Sequence, residues 1–111
     1  MTRPVSIGIN LTADVAITVY KVPLGYFAKW NLMYLFNNTG STKSISVYWR
    51  DASTSTNIYV QNGAIPSKEY IRLDGNAYVV LEENDTLVMQ AEAGSYFSTI
   101  CTFELFKKEG I

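Results

Sequence analysis

Few side chains in this sequence could do chemistry. The chain has no histidine and one cysteine, Cys101. Without histidine, Ser–His–Asp and Cys–His arrangements lose their base, and no imidazole can move a proton. One cysteine cannot close an intrachain disulfide, and a closed zinc site needs Cys or His in fours. Cys101 lies in phase with Phe97, Phe103 and Leu105, with nothing cationic beside it, so it reads as a small buried hydrophobe rather than a thiolate. Glu82, Glu83 and Asp85 are oxygen donors of the kind Ca²⁺ takes, but they lack the spaced Asp/Asn/Gly pattern of a dedicated loop and read as a solvated turn. Ten carboxylates in all will put some pair at a glycosidase-like spacing by chance, so that spacing carries no weight. The expectation is a chain with no catalytic residue, no metal and no cofactor.

The remaining candidates bind rather than react. Trp30 and Trp49 could be platforms for sugar rings, yet alternation places Trp30 with Ala28, Leu32, Tyr34 and Phe36, and Trp49 with Val47 and Ile45, as core residues. Asn10, Asn37 and Asn84 each begin a glycosylation acceptor pattern, which reads as incidental because Met1 to Pro4 lack the apolar stretch of a secretory signal. The seven glycines are scattered through turns, so no phosphate cradle is present. A net charge of −1 and a pI near 5.3 argue against a nucleic-acid backbone as partner. No apolar run is long enough to span a bilayer as a helix.

The elements that position these residues are strands. At 111 residues the chain has the size of a single domain, 1–111. Val5, Ile7 and Ile9 alternate with small or polar residues, as do Val15, Ile17 and Val19, then Ile45, Val47 and Trp49. Turn chemistry separates such runs at Pro23-Leu24-Gly25, Asn38 to Ser41, Asn62-Gly63, Asp74-Gly75, Glu83 to Asp85 and Ala93 to Ser95. Asn38 to Ser41 reads as a hairpin loop, and the last two turns as closing hairpins. Eight or nine strands result, roughly 4–9, 14–21, 26–37, 43–50, 57–61, 68–73, 77–82, 85–92 and 96–107. The fold class is all-β, a single-domain antiparallel β-sandwich of jelly-roll-like or immunoglobulin-like type.

With Val47, Ile58, Ile71 and Val79 on the core side, Tyr48, Tyr59, Tyr70 and Tyr78 point outward, and Arg50, Gln61 and Arg72 share those faces. Phe27, Met33 and Leu35 take the second side of the third strand, as Ile100 and Phe106 do on the last. Tyr and Arg are enriched at protein interfaces, and so many uncovered aromatic and apolar groups imply a partner. Met1 to Pro4 and Lys107 to Ile111 are candidate arms reaching neighbours.

The ordered landmarks Val22-Pro23-Leu24-Gly25, Asn37-Asn38-Thr39-Gly40-Ser41, Tyr78 to Leu81, Glu83-Asn84-Asp85-Thr86-Leu87 and Gln90-Ala91 resemble those of small β-sandwich structural proteins of tailed bacteriophages. Asn84 stands where that family usually has glycine. The resemblance implies a non-enzymatic virion protein, made in the host cytoplasm, that decorates or cements a capsid or serves as a neck or tail accessory. It implies self-association, a trimer by preference, and docking on capsid or tail subunits. The alternative is a carbohydrate-binding or adhesin module with a glycan ligand, decided by whether either tryptophan lies in a solvent-facing groove.

Overall fold

A computed structural model describes residues 2–12, 14–73 and 79–108. Alternating β-branched and aromatic residues form β1 (Thr2–Leu11), β2 (Ile17–Lys21), β3 (Tyr26–Asn37), β4 (Lys43–Asp51) and β5 (Thr56–Ile65). They continue through β6 (Tyr70–Leu73), β7 (Val79–Leu81), β8 (Thr86–Ala91) and β9 (Phe97–Lys107). The strands make two antiparallel sheets, β1-β9-β3-β6 with β7 also on β3, and β2-β8-β4-β5. β6 pairs with Met33 to Phe36 and β7 with Ala28 to Trp30, so the two act as one interrupted strand beside β3. This order is that of a jelly roll, which decides between the two sandwich types.

The topology corrects several expectations. β3 and β4 lie in different sheets, as do β7 and β8, and β8 and β9, so the turns between them cross the sandwich and close no hairpin. Across the sandwich, the hydrogen-bonded pair of consecutive strands is β4 and β5, joined through the Ser/Thr-rich segment from Ala52 to Ser55. Asn62 and Gly63 make no turn; they pair with Ser46 and Ile45 inside β5. The reversal comes later, at Pro66 to Glu69. Of the segments read as arms, Thr2 to Pro4 belong to β1 and Lys107 closes β9.

Between the sheets the core is built in cross-strand rows, because directly opposed residues share a face. Val5, Phe103, Trp30 and Val79 form one row, Ile7, Cys101, Met33 and Leu73 the next, and Ile9, Thr99, Leu35 and Ile71 a third. The facing sheet contributes Tyr20, Leu87 and Trp49, with Ile58 at the exposed edge of that row, then Ile17, Met89, Val47 and, at the edge, Gln61. Tyr20 stacks on Phe103 at 4.7 Å, joining the two layers. Thr99, 3% exposed, keeps its hydroxyl satisfied by donating to the Ile9 carbonyl at 3.0 Å.

Four crossings reuse one turn. Tyr26, Glu69, Asp85 and Ser95 each donate their N–H to the carbonyl three residues earlier, on Pro23, Pro66, Glu82 and Glu92. The residue before each donor has positive φ: Gly25 at 86°, Lys68 at 61°, Asn84 at 70° and Gly94 at 76°. Glycine reaches that region freely and asparagine tolerates it, whereas Lys68 is strained there by about 1 kcal/mol. Lys68 is held by its ammonium, which donates to the carbonyl and side-chain oxygens of Asn38 at 3.1 and 2.7 Å.

Two buried polar side chains fasten the corners. Asn37, fully buried, donates through Nδ2 to the carbonyls of Ser41 and Ile65 at 3.0 and 2.8 Å and accepts the Thr39 N–H at 2.8 Å. At the opposite end Asp85, 2% exposed, accepts from the Trp49 indole at 3.0 Å and from the backbone N–H groups of Ala52 and Glu82 at 2.9 Å each. Asp85 is therefore no solvated turn residue but a buried carboxylate that ties its own turn to β4 and to the β4–β5 connection. Removing either side chain strands buried partners, each costing about 1–3 kcal/mol. Asn37→Ala and Asp85→Ala should each lower unfolding free energy by about 3 kcal/mol in urea titrations. A loss below about 1 kcal/mol would show that the corners hold without them.

Candidate binding face

A β-bulge decides which side chains reach the surface. The register of β3 against β9 shifts between Trp30 and Leu32, leaving Asn31 as an extra residue. One inserted residue inverts the alternation beyond it. Before the bulge Ala28 and Trp30 face inward; after it Met33, Leu35 and Asn37 do. Met33 and Leu35 are 1% and 0% exposed, so the sequence-based placement of both on the outer side is corrected. Leu32, Tyr34 and Phe36, expected in the core with Trp30, turn outward instead. Nothing in the alternation marks the inversion, since Lys29 is a polar residue in the same run without one; the Asn31 Nδ2 donates to Glu104 at 3.0 Å across the outer face.

β5 carries a second bulge, with its register against β4 shifting at Val60. Tyr59 pairs with Tyr48 on the outer face, the rings 5.1 Å apart. Beyond the bulge Gln61 pairs with Val47, on the core side, so Gln61 does not share a face with Tyr59. This is again a phase inversion that alternation cannot see.

The nine residues singled out from sequence therefore divide. Tyr48, Arg50 and Tyr59 lie on the outer face of β2-β8-β4-β5. Phe27, Tyr70 and Arg72 lie on the opposite surface of the sandwich, the outer face of β1-β9-β3-β6. Met33 and Gln61 are turned inward, and Tyr78 lies outside the described residues.

The two outer faces differ in chemistry. On β2-β8-β4-β5 polar groups satisfy one another: Arg50 donates to Asn57 at 2.8 Å, Ser46 to Asn62 at 3.0 Å and Gln90 to Asp14 at 2.8 Å. On β1-β9-β3-β6 the rows run Gly8, Ile100, Tyr34, Arg72 and Asn10, Ser98, Phe36, Tyr70. Tyr34 and Tyr70 stack at 5.2 Å, while Tyr70 and Ile100 remain 56% and 42% exposed. A polar band of Lys29, Glu104 and Asn31 follows, with Lys29 and Glu104 4.0 Å apart. Below it Phe27 and Phe106 stack nearly parallel at 4.9 Å, while exposed Val80 pairs with Lys29 at the end of the band. The face thus presents two aromatic patches flanking a charged band, with Arg72 at the edge of the patch built on Tyr34 and Ile100.

Reactive groups are tied up elsewhere. Trp30, 6% exposed, donates its indole N–H to the Leu32 carbonyl at 3.0 Å. Trp49 opposes Leu87 and Ile58 on the core side and donates to Asp85, so neither indole is a platform in a solvent-facing groove. Asn37 is too buried to accept a glycan. Among the described residues no three Asp, Glu, His or Cys are placed to share an ion. Cys101 is buried as expected, and burial pushes its thiol up to about 12.

Two experiments check this geometry. Deleting Asn31 leaves Trp30 and Leu32 consecutive opposite Phe103 and Thr102 with Met33 and Leu35 still inward, so the variant should keep its near-ultraviolet dichroism and dispersed amide spectrum; loss of both would mean that Asn31 does more than add one residue to the register. Cys101 should ignore a thiol reagent at pH 8 in the native protein and react fully in denaturant, because only the unfolded chain offers a thiolate.

No family model matches the chain, and no curated protein matches it in sequence. Among solved structures it is similar to a subunit of Bacillus endospore appendages, described as a novel family of disulfide-linked pili. That likeness has 14% identity and a TM-score of 0.58, covering 97% of this chain and 89% of that one. Eiger TNF from S. frugiperda gives 12% identity and a TM-score of 0.47, covering 99% and 94%. A chain of the cyanophage Pam1 capsid asymmetric unit gives 18% and 0.46, covering 96% and 84%. The endospore appendage subunit shares the all-β fold with this chain.

Proposed function

We propose that this chain is a non-enzymatic structural protein of a tailed-bacteriophage particle. It docks in multiple copies as a capsid decoration or cement subunit, or as a neck or tail accessory. The observation that carries the reading is the outer face of β1-β9-β3-β6, where Tyr34, Tyr70, Ile100, Phe27, Phe106 and Val80 gather around the Lys29–Glu104 stripe, with Arg72 at the edge. Aromatic anchors of this kind, desolvated on docking, supply most of the energy of typical protein interfaces. A jelly roll by itself licenses no function. The reading rests on that face, together with the phage-like order of Val22 to Gly25, Asn37 to Ser41 and Glu83 to Leu87.

The charged stripe gives such a face its register. Lys29 and Glu104 neutralise each other in the free protein, and a partner offering the reverse pair would meet them in one orientation. Purified phage particles should contain the chain at fixed stoichiometry, and the isolated protein should co-sediment with particles that lack it. Replacing Tyr70 and Ile100 by glutamate, both on the surface, should leave the circular dichroism intact and weaken co-sedimentation about 100-fold or more. Particles without the chain, or binding that ignores both replacements, would overturn the proposal.

A further inference from the structure

The edges of the two sheets are unequal in one respect. An edge strand presents unpaired N–H and C=O groups, and proteins blunt such edges with charge, proline or shortness. β1 carries Arg3 and Pro4, and β2 is five residues long with Lys21. β6 and β7 have four and three residues, with Arg72 on β6. β5, paired only with β4, runs for ten residues without a charge or a proline. Its Ile58 and Tyr59 are 44% and 56% exposed. The Ile65 carbonyl is taken by the Asn37 amide, so the open stretch runs from Asn57 to Ala64. The bulge at Val60 bends this edge but leaves an extended segment on either side of it.

We propose that β5 pairs antiparallel with β5 of a second copy about a two-fold axis, merging two four-stranded sheets into one of twice the width. The occupant follows from charge. In an isologous pair each strand meets its own sequence, so any charged residue on it is brought close to its like. β5 is the described edge on which no such repulsion arises, and a net charge of −1 opposes the approach of two copies only slightly. Asn57 and Asn62 supply amides that can donate and accept across the axis, and Ile58 supplies apolar surface to cover. The product is a dimer, in place of the trimer that the sequence favours. The pairing goes beyond the docking face, which lies on the other sheet, so particle binding and dimerisation are separate readouts.

Sedimentation of the purified chain from micromolar to millimolar concentration should show a monomer–dimer equilibrium. Amide hydrogen exchange from Asn57 to Ala64 should slow about tenfold or more as the dimer fills, while the β1 edge stays unchanged. Ile58→Lys and Asn62→Lys, each checked by circular dichroism, should remain monomeric across that range. A monomer at every concentration overturns the proposal. So does a dimer whose β5 amides exchange as fast as the monomer's, or one that persists in a folded lysine variant.

Discussion

The extra residue at Asn31 governs the molecule more than any other single feature. β3 is the most connected strand of its sheet, with β9 on one side and β6 and β7 on the other. A bulge there is felt on both flanks. Were the alternation to run on unbroken from Ala28, the aromatic rings of Tyr34 and Phe36 would enter the core and Met33 and Leu35 would meet water. With the inversion, two aliphatic side chains fill the interior while two rings are presented outside. The core and the outer face are two consequences of one backbone irregularity, fastened on the surface by the Asn31–Glu104 hydrogen bond.

Holding the two layers together is a separate problem, because in a jelly roll most consecutive strands change sheets. Each change needs a reversal that ordinary β geometry does not supply. The repeated positive-φ turn provides it at four of these changes, and Asn37 and Asp85 tie the reversals to their neighbours. Both side chains are buried, yet both are satisfied, and among the described residues no buried side-chain nitrogen or oxygen lacks a partner. Polarity is thus concentrated at the ends of the sandwich, where backbone groups leave the ladders, and apolar rows occupy the middle.

That division explains what the sequence made legible. Alternation and turn residues located all nine strands, because period-two patterning and positive-φ chemistry are local. The buried state of Cys101 followed from the same reasoning. The bulges at Asn31 and Val60 were invisible, since a phase inversion looks like continued alternation when apolar residues lie on both sides. Turn residues at Asn38 to Ser41 and Glu83 to Asp85 announced a reversal but not whether the next strand would pair or cross, which depends on sheets assembled from distant segments. Asp85 was misplaced for a related reason. Its burial depends on Trp49 and Ala52, more than thirty residues away.

The strand order also bears on how the protein is made. β1 pairs only with β9, and β2 only with β8, so the outermost strands of the sequence are one another's partners. The local ladder, β4 with β5, can form early; the others must wait for long loops to close, which places folding on the millisecond-to-second scale typical of such topologies. During synthesis Val5, Ile7 and Ile9 emerge well before Thr99, Cys101 and Phe103, which pair with them. Until β9 is made, the apolar stripe of β1 has no strand to pair with. The nascent chain, rather than the finished sandwich, is where this sequence is most exposed to misassembly.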